Sequence, residues 1–296
     1  MKAKRINLSP DLSIVSGCPS APGEGLLILH SESLGEDHSI LAILDPDGLY
    51  GFPIPDLGTE VVIFDNKPIY LSQNGQVWCY NGFDLVLMAI LDDVEAPLRD
   101  MKSKYGRLVV VGALNQVFES NDLNTWKCQA VAPRTSQVLY GLESVDMVSS
   151  SEAYAVGWNG ECLKREKGEW RYIEMPTNLD LHKVLCLENG LVFVCGDEGI
   201  ILKGSNDTWR LMTNEVTSEK LWGMAFYRNK VFVSDMYRIY EISENGLQEI
   251  EYSGQDDIPP ASYRLRTLGD LILWSIGEKH LYEFDGSRWK CLLAFE

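Results

Sequence analysis

The chain alternates short apolar runs with tight polar turns from end to end, and the alternation repeats. Ala153 to Met175, AYAVGWNGECLKREKGEWRYIEM, shows the unit: an apolar run, a Gly-containing turn, a second alternating run, another turn, and a third run opening on Trp170. Short alternating runs bounded by Gly, Asn and Asp predict β-strands joined by tight turns. The same unit recurs at 191–209 (LVFVCGDEGIILKGSNDTW), 107–126 (RLVVVGALNQVFESNDLNTW) and 270–289 (DLILWSIGEKHLYEFDGSRW). Weaker copies lie at 67–83, 230–247 and 25–49, the last interrupted by SESLGEDHS.

Each copy ends on a bulky anchor. Leu49, Phe83, Trp126, Trp170, Trp209, Leu247 and Trp289 follow one another at 34, 43, 44, 39, 38 and 42 residues, the period of a four-stranded propeller blade. Ahead of each copy stands one more strand-like run, such as LYGLESVDMV, LHKVLCLEN or LWGMAFYRN. Such a small sheet cannot cover both its faces alone, so neighbouring units must stack, and a closed ring leaves no exposed terminal unit. The expected fold is all-β, a seven-bladed β-propeller with four antiparallel strands per blade. A single domain is expected over 1–296, with blades near 11–54, 59–90, 98–131, 138–175, 181–213, 221–252 and 263–294. Length alone would suggest two domains, but the repeat leaves no linker between halves. An edge strand from Lys4 to Leu8 is left open.

Charge narrows the function. With 43 acidic against 26 basic residues the net charge is -17, which argues against nucleic acid or an anionic membrane as a direct partner and favours a basic protein. Seven cysteines with no C-x-x-C pair read as core thiols of a reducing cytoplasm, Cys128 and Cys291 included. The first residues hold no apolar stretch of the kind a secretory signal needs, so a cytoplasmic protein is expected.

In a propeller the first strand of each blade lines the channel. It enters from the face that also carries the inter-blade connections and the turns between second and third strands. This rule puts Asp92, Asp93, Glu95, Asp180, Asp197, Glu198, Glu215, Glu219, Asp235, Asp256, Asp257 and Glu278 on one face, against Arg134, Lys220 and Lys279. Arg99, Tyr140, His182, Trp222 and Arg264 are expected at the channel mouth, an aromatic and cationic set typical of interface hot spots. His30, Glu32, Glu36, Asp37 and His38 have no standard metal-ligand spacing and read as a solvated loop. No cofactor or metal is expected.

Catalytic signatures are weak. Ser120-Asn121-Asp122 through Trp126, and Ser205 to Trp209, look like worn Asp-boxes, the structural turn of sialidase-like propellers. Sialidase chemistry needs an arginine cluster for the substrate carboxylate, for which Arg99, Arg134, Arg264 and Arg266 are loose candidates, and a Tyr paired with a carboxylate. The sequence has no G-x-S-x-G elbow, phosphate-binding loop or H-E-x-x-H helix. A non-enzymatic protein is expected.

Leu139-Tyr140-Gly141-Leu142, Ala153 to Gly160 and Gly168-Glu169-Trp170 resemble the bacterial BNR/YVTN/WD40-like propeller repeats, over residues 98–289 above all. In overall character the chain is similar to the propeller-type immunity proteins of contact-dependent inhibition systems. That resemblance implies a monomer that covers a toxin domain, often a basic nuclease. The alternatives are an intracellular scaffold propeller, a sialidase-like glycosidase and a lectin.

Overall fold

The computed structural model describes residues 3–35, 37–131, 140–244 and 246–295. Seven antiparallel sheets follow one another along the chain. Their innermost strands are Leu12–Ala21, Gly58–Phe64, Leu98–Lys104, Leu142–Met147, Leu181–Cys186, Gly223–Tyr227 and Arg264–Leu268. Each sheet then steps outward strand by strand, to Gly48–Ile54, Leu85–Ile90, Lys127–Ala130, Glu169–Tyr172, Thr208–Leu211, Gly246–Glu249 and Trp289–Ala294. This is the seven-bladed propeller the period predicts. The fourth blade begins at Leu142 among the described residues, and positions 138 and 139 lie outside them. No helix among the described residues is long and apolar enough to cross a membrane.

The apolar side chains sort into seven clusters, each filled from two adjacent blades. Stacking is therefore what buries each sheet. The ring closes by the same means. Leu12, Ile14, Leu27 and Leu29 of the first blade pack on Ile272, Trp274, Leu293 and Phe295 of the last, and no strand is exchanged. Lys279 Nζ donates to the carbonyls of Pro10 and Leu12, and the Ile14 N–H donates to Glu278 O at 2.6 Å. Lys4–Arg5 adds a fifth strand to the outside of the first blade, paired with Gly51 and Tyr50.

The anchors hold neighbouring blades together. Trp170 Nε1 donates to Glu119 of the preceding blade at 2.7 Å, and Arg165 Nε donates to the same carboxylate. Trp209 meets Tyr154 of the preceding blade edge-on at 5.8 Å. The second blade departs from the pattern. Phe83 is 83% exposed, and Leu85 takes the buried place instead. Cys128 is exposed on an outer strand, and Cys18 and Cys291 are half-buried, so only four of the seven thiols are core residues.

Glycines set the blade junctions. A Cβ on Gly157 would stand 1.8 Å from the Gly141 carbonyl oxygen, and one on Gly196 would stand 2.0 Å from that of Asp180. The residue after each glycine donates its N–H to that carbonyl, Trp158 to Gly141 at 3.0 Å and Asp197 to Asp180 at 2.9 Å. The V-G of the repeat is where the incoming connection touches the second strand. These contacts mark one face of the ring, here termed the entry face.

Candidate functional site

The first strands of blades one to five slip by one residue just inside the entry face. The register jumps between Ile14 and Ser16, Gly58 and Glu60, Leu98 and Asp100, Leu142 and Ser144, and Leu181 and Lys183. A bulge leaves its extra residue unpaired and re-aims the side chain. The residues so released are Val15, Thr59, Arg99, Glu143 and His182; Trp222 and Tyr263 enter at the same level in the last two blades. All seven line one cavity of about 530 Å³ at the mouth of the channel.

The mouth is ordered by its own contacts. His182 stacks on Trp222 with ring centroids 4.1 Å apart, and its Nε2 lies 2.6 Å from Asp197 Oδ1. Lys220 Nζ donates to the other oxygen of Asp197 at 3.0 Å. Burial opposes ionisation of Asp197, but the hydrogen bonds from His182 and Lys220 outweigh it and hold the carboxyl below its ordinary value. Across the cavity, Trp158 Nε1 donates to Glu143 at 2.6 Å, and Arg99 lies over the Trp158 ring with its Nε 3.9 Å from the same carboxylate.

One layer deeper the channel is ionic. Glu60 accepts from Ser16, from Arg264 at 3.0 Å and from Arg266 at 2.6 Å. Asp100 accepts from Lys183 at 2.9 Å and from Ser144, while Asp146 faces Lys102 and Lys104 at 3.5 and 3.6 Å. Burial pushes the Asp100 carboxyl up, but Lys183 and Arg266 more than offset it and hold it well below the usual range. Burial pushes the Lys183 ammonium down; Asp100 only partly restores it, and Arg266 and Lys102 repel it further.

Sequence reasoning and structure agree on part of this face. Arg99, His182 and Trp222 meet at the mouth. Arg264 lines the cavity too, but from the ionic layer, bonded to Glu60. Tyr140 precedes the fourth blade, its carbonyl holding the Leu114 N–H, and it is not part of the cavity wall. Asp92, Asp93, Glu95, Glu198, Glu215 and Glu219 are exposed on entry-face connections and turns. Asp180 is half-buried and accepts the Asn159 N–H.

Three expected rim carboxylates are used by the fold instead. Asp235 is 1% exposed and closes its own turn, accepting from Tyr237 N, Arg238 N and the Tyr240 hydroxyl. Asp256 and Asp257 accept from the N–H groups of Trp289 and Cys291, so they cap the outermost strand of blade seven, away from the mouth. Their long connection runs down the outer edge of the blade, which a strand count does not reveal. Arg134 and Glu36 lie outside the described residues. Acidity is also not confined to one face, because Asp47, Asp65, Asp122, Glu188, Asp207 and Asp285 are exposed on turns of the opposite side.

Glu143, Lys183, Tyr263 and Arg266 are cavity residues that the sequence reading left out of the binding set. The repeat carried a signal that could have found Glu143, which follows Leu142 as Arg99 follows Leu98, His182 follows Leu181 and Trp222 follows Leu221. Asp122 builds the Asp-box-like turn, accepting from Asn124 N and Thr125 N, while Trp126 Nε1 donates to Leu123 O. That motif is structural here. Arg264 and Arg266 share Glu60, while the hydroxyls of Tyr154 and Tyr240 donate to Glu152 and Asp235 on the fourth and sixth blades. No three His, Cys, Asp or Glu side chains among the described residues gather as a metal site.

Architecture and mouth together define a seven-bladed β-propeller with a cavity at one end of its channel. The chain is 31% identical over 231 residues to immune protein Tsi7 of Pseudomonas aeruginosa, spanning 75% of this chain and 74% of that protein, and it belongs to that family. No family model matches the sequence. Among solved structures it is similar to YCF48 bound to D1 peptide (TM-score 0.68, 13% identity, 94% of this chain and 92% of that one). It is also similar to the WD40 propeller domain of Doa1 (TM-score 0.68, 8% identity, 90% of each chain). These two likenesses concern the fold.

Proposed function

We propose that this protein binds a cognate bacterial toxin domain, of basic nuclease type, over the entry face and blocks its active site without catalysing a reaction itself. Kinship with an immune protein is the observation that carries the reading. Asp92, Asp93, Glu95, Glu198, Glu215 and Glu219 supply a field that steers a basic surface inward, and the stacked His182 and Trp222 offer a rigid centre for lasting contact. Carboxylates occur on both faces, so what singles out the entry face is the ring of bulged side chains at the channel mouth. The reading makes the protein a cytoplasmic monomer until it meets the toxin.

Co-expression with the toxin encoded beside its gene tests this directly, with rescue of growth and a co-purifying complex as the expected result. Glu215→Lys combined with Glu219→Lys is expected to weaken the complex by about tenfold or more, with Asp65→Lys combined with Glu188→Lys as the opposite-face control. Equal loss in both pairs would remove the entry face as the binding surface. Failure to rescue or to co-purify would remove the immunity reading.

A further inference from the structure

The channel is not charge-balanced. Three carboxylates, Glu60, Asp100 and Asp146, face five cations, Lys102, Lys104, Lys183, Arg264 and Arg266. The layering matters as much as the count. Arg264 lines the mouth cavity alone, Lys183 and Arg266 line both it and the cavity at the other end of the channel, and Glu60 and Asp100 line only that other cavity. Arg99 adds a fourth cation at the lip. The carboxylates lining the mouth are Glu143, engaged by Trp158 and Arg99, and Glu278 on an outer turn. A small cationic floor thus sits inside the wall of a strongly acidic protein.

The donors on that floor are under-used. A guanidinium carries five N–H groups and an ammonium three. Among the described residues Arg264 donates one hydrogen bond, to Glu60, and Lys183 donates one, to Asp100. Arg99 lies over the Trp158 ring, makes one long ion-pair contact with Glu143 at 3.9 Å, and is 41% exposed. Half-buried cations with spare donors around a concave site match the oxygens of a carboxylate or phosphate.

We propose that the mouth cavity is an oxyanion site, in which Arg99, Lys183 and Arg264 receive a carboxylate or phosphate group. The rim indicates how the group arrives. A free dianion must pass the exposed carboxylates around the mouth, whereas an acidic side chain carried on a basic protein surface enters with that rim already neutralised. The natural occupant is therefore an Asp or Glu that projects from the partner's basic face. The site itself rests on the cavity and its charges; only the identity of the occupant rests on the immunity reading.

Inorganic phosphate is the probe for the site. The isolated protein is titrated with phosphate against sodium chloride of matched ionic strength, and its melting temperature is followed. The melting temperature is expected to rise with phosphate beyond the chloride control. Arg264→Gln keeps Arg266 and Ser16 on Glu60 and is expected to weaken phosphate about tenfold or more, since a charged hydrogen bond of that kind is lost. Arg99→Gln, at an exposed position with no buried role, serves as a second variant in case the first does not fold. No response of the wild type beyond chloride, or equal responses in wild type and both variants, overturns the proposal. A second arm identifies the source: Arg99→Gln that also weakens the toxin complex, with phosphate competing for the wild-type complex, assigns the occupant to the partner. A complex indifferent to Arg99→Gln and to phosphate leaves the oxyanion as a free small ligand and overturns the partner assignment. The first arm needs no toxin, so its failure is distinct from a failure of the immunity reading.

Discussion

Glu198 has a left-handed backbone, with φ of 54°, in the entry-face turn Asp197–Gly199; the equivalent turn in the blade before it holds Asn159 at φ of 56°. Asn tolerates that conformation, whereas for Glu it costs roughly 1 kcal/mol. Non-glycine residues take this conformation at other turns too, such as Asp65 and Lys167, so the carboxylate of Glu198 has to be tested for a role of its own. Glu198→Asn is therefore expected to raise stability by about 0.5 to 1 kcal/mol in urea titrations while weakening the toxin complex. A stable variant that binds normally would show that the carboxylate is idle. Thiols give a second residue-scale prediction. Desolvation pushes half-buried Cys18 up to about 11 and core Cys195 up to about 12, against an ordinary thiol value of about 8.5. A raised native pKa means stability is complete below the unfolded value and is lost as pH rises toward the native one. The urea midpoint is expected to fall between pH 8.5 and 11, with Cys195 contributing at most about 2 kcal/mol at pH 10. Cys195→Ala should flatten that slope; an unchanged slope would mean the thiols do not govern it.

At the scale of the blade, the glycine that ends the second strand is the joint between neighbours. Gly157→Ala must push the Gly141 carbonyl aside, because the added carbon would lie 1.8 Å from its oxygen. Overpacking against backbone costs about 1 to 3 kcal/mol or more, so its chemical-denaturation midpoint should fall accordingly, while Gly168→Ala, whose Cβ meets nothing within 4 Å, should cost less and only through its φ of 89°. Equal losses at the two sites would show that backbone conformation, and not the joint, sets the requirement. The period of strands and turns was plain in the sequence because every blade repeats the same alternation. Phe83 was misread as an anchor because spacing reports where a turn lies, not which of two nearby apolar residues, Phe83 or Leu85, faces the next sheet. Cys128 was misread for the same reason, since spacing does not report that Lys127 and Cys128 of this outermost strand are both exposed.

Over the whole ring, the ionic layer ties distant blades together. Glu60 in the second blade is held by Arg264 and Arg266 in the seventh, and Asp100 in the third by Lys183 in the fifth. Glu60→Gln would leave two guanidiniums without their counter-charge, and removing one member of such a buried set costs about 3 to 5 kcal/mol. A large fall in the urea midpoint is expected, and a fall below about 1 kcal/mol would show that water in the channel screens the pair. The sequence by itself determined the strands, their number and the way they must stack, because those follow from local alternation and from apolar faces no single blade can cover. Tertiary structure alone decided which charges share the channel, which aspartates stand exposed on the entry face and which cap a strand, because residues some 200 positions apart meet there only after the ring has closed.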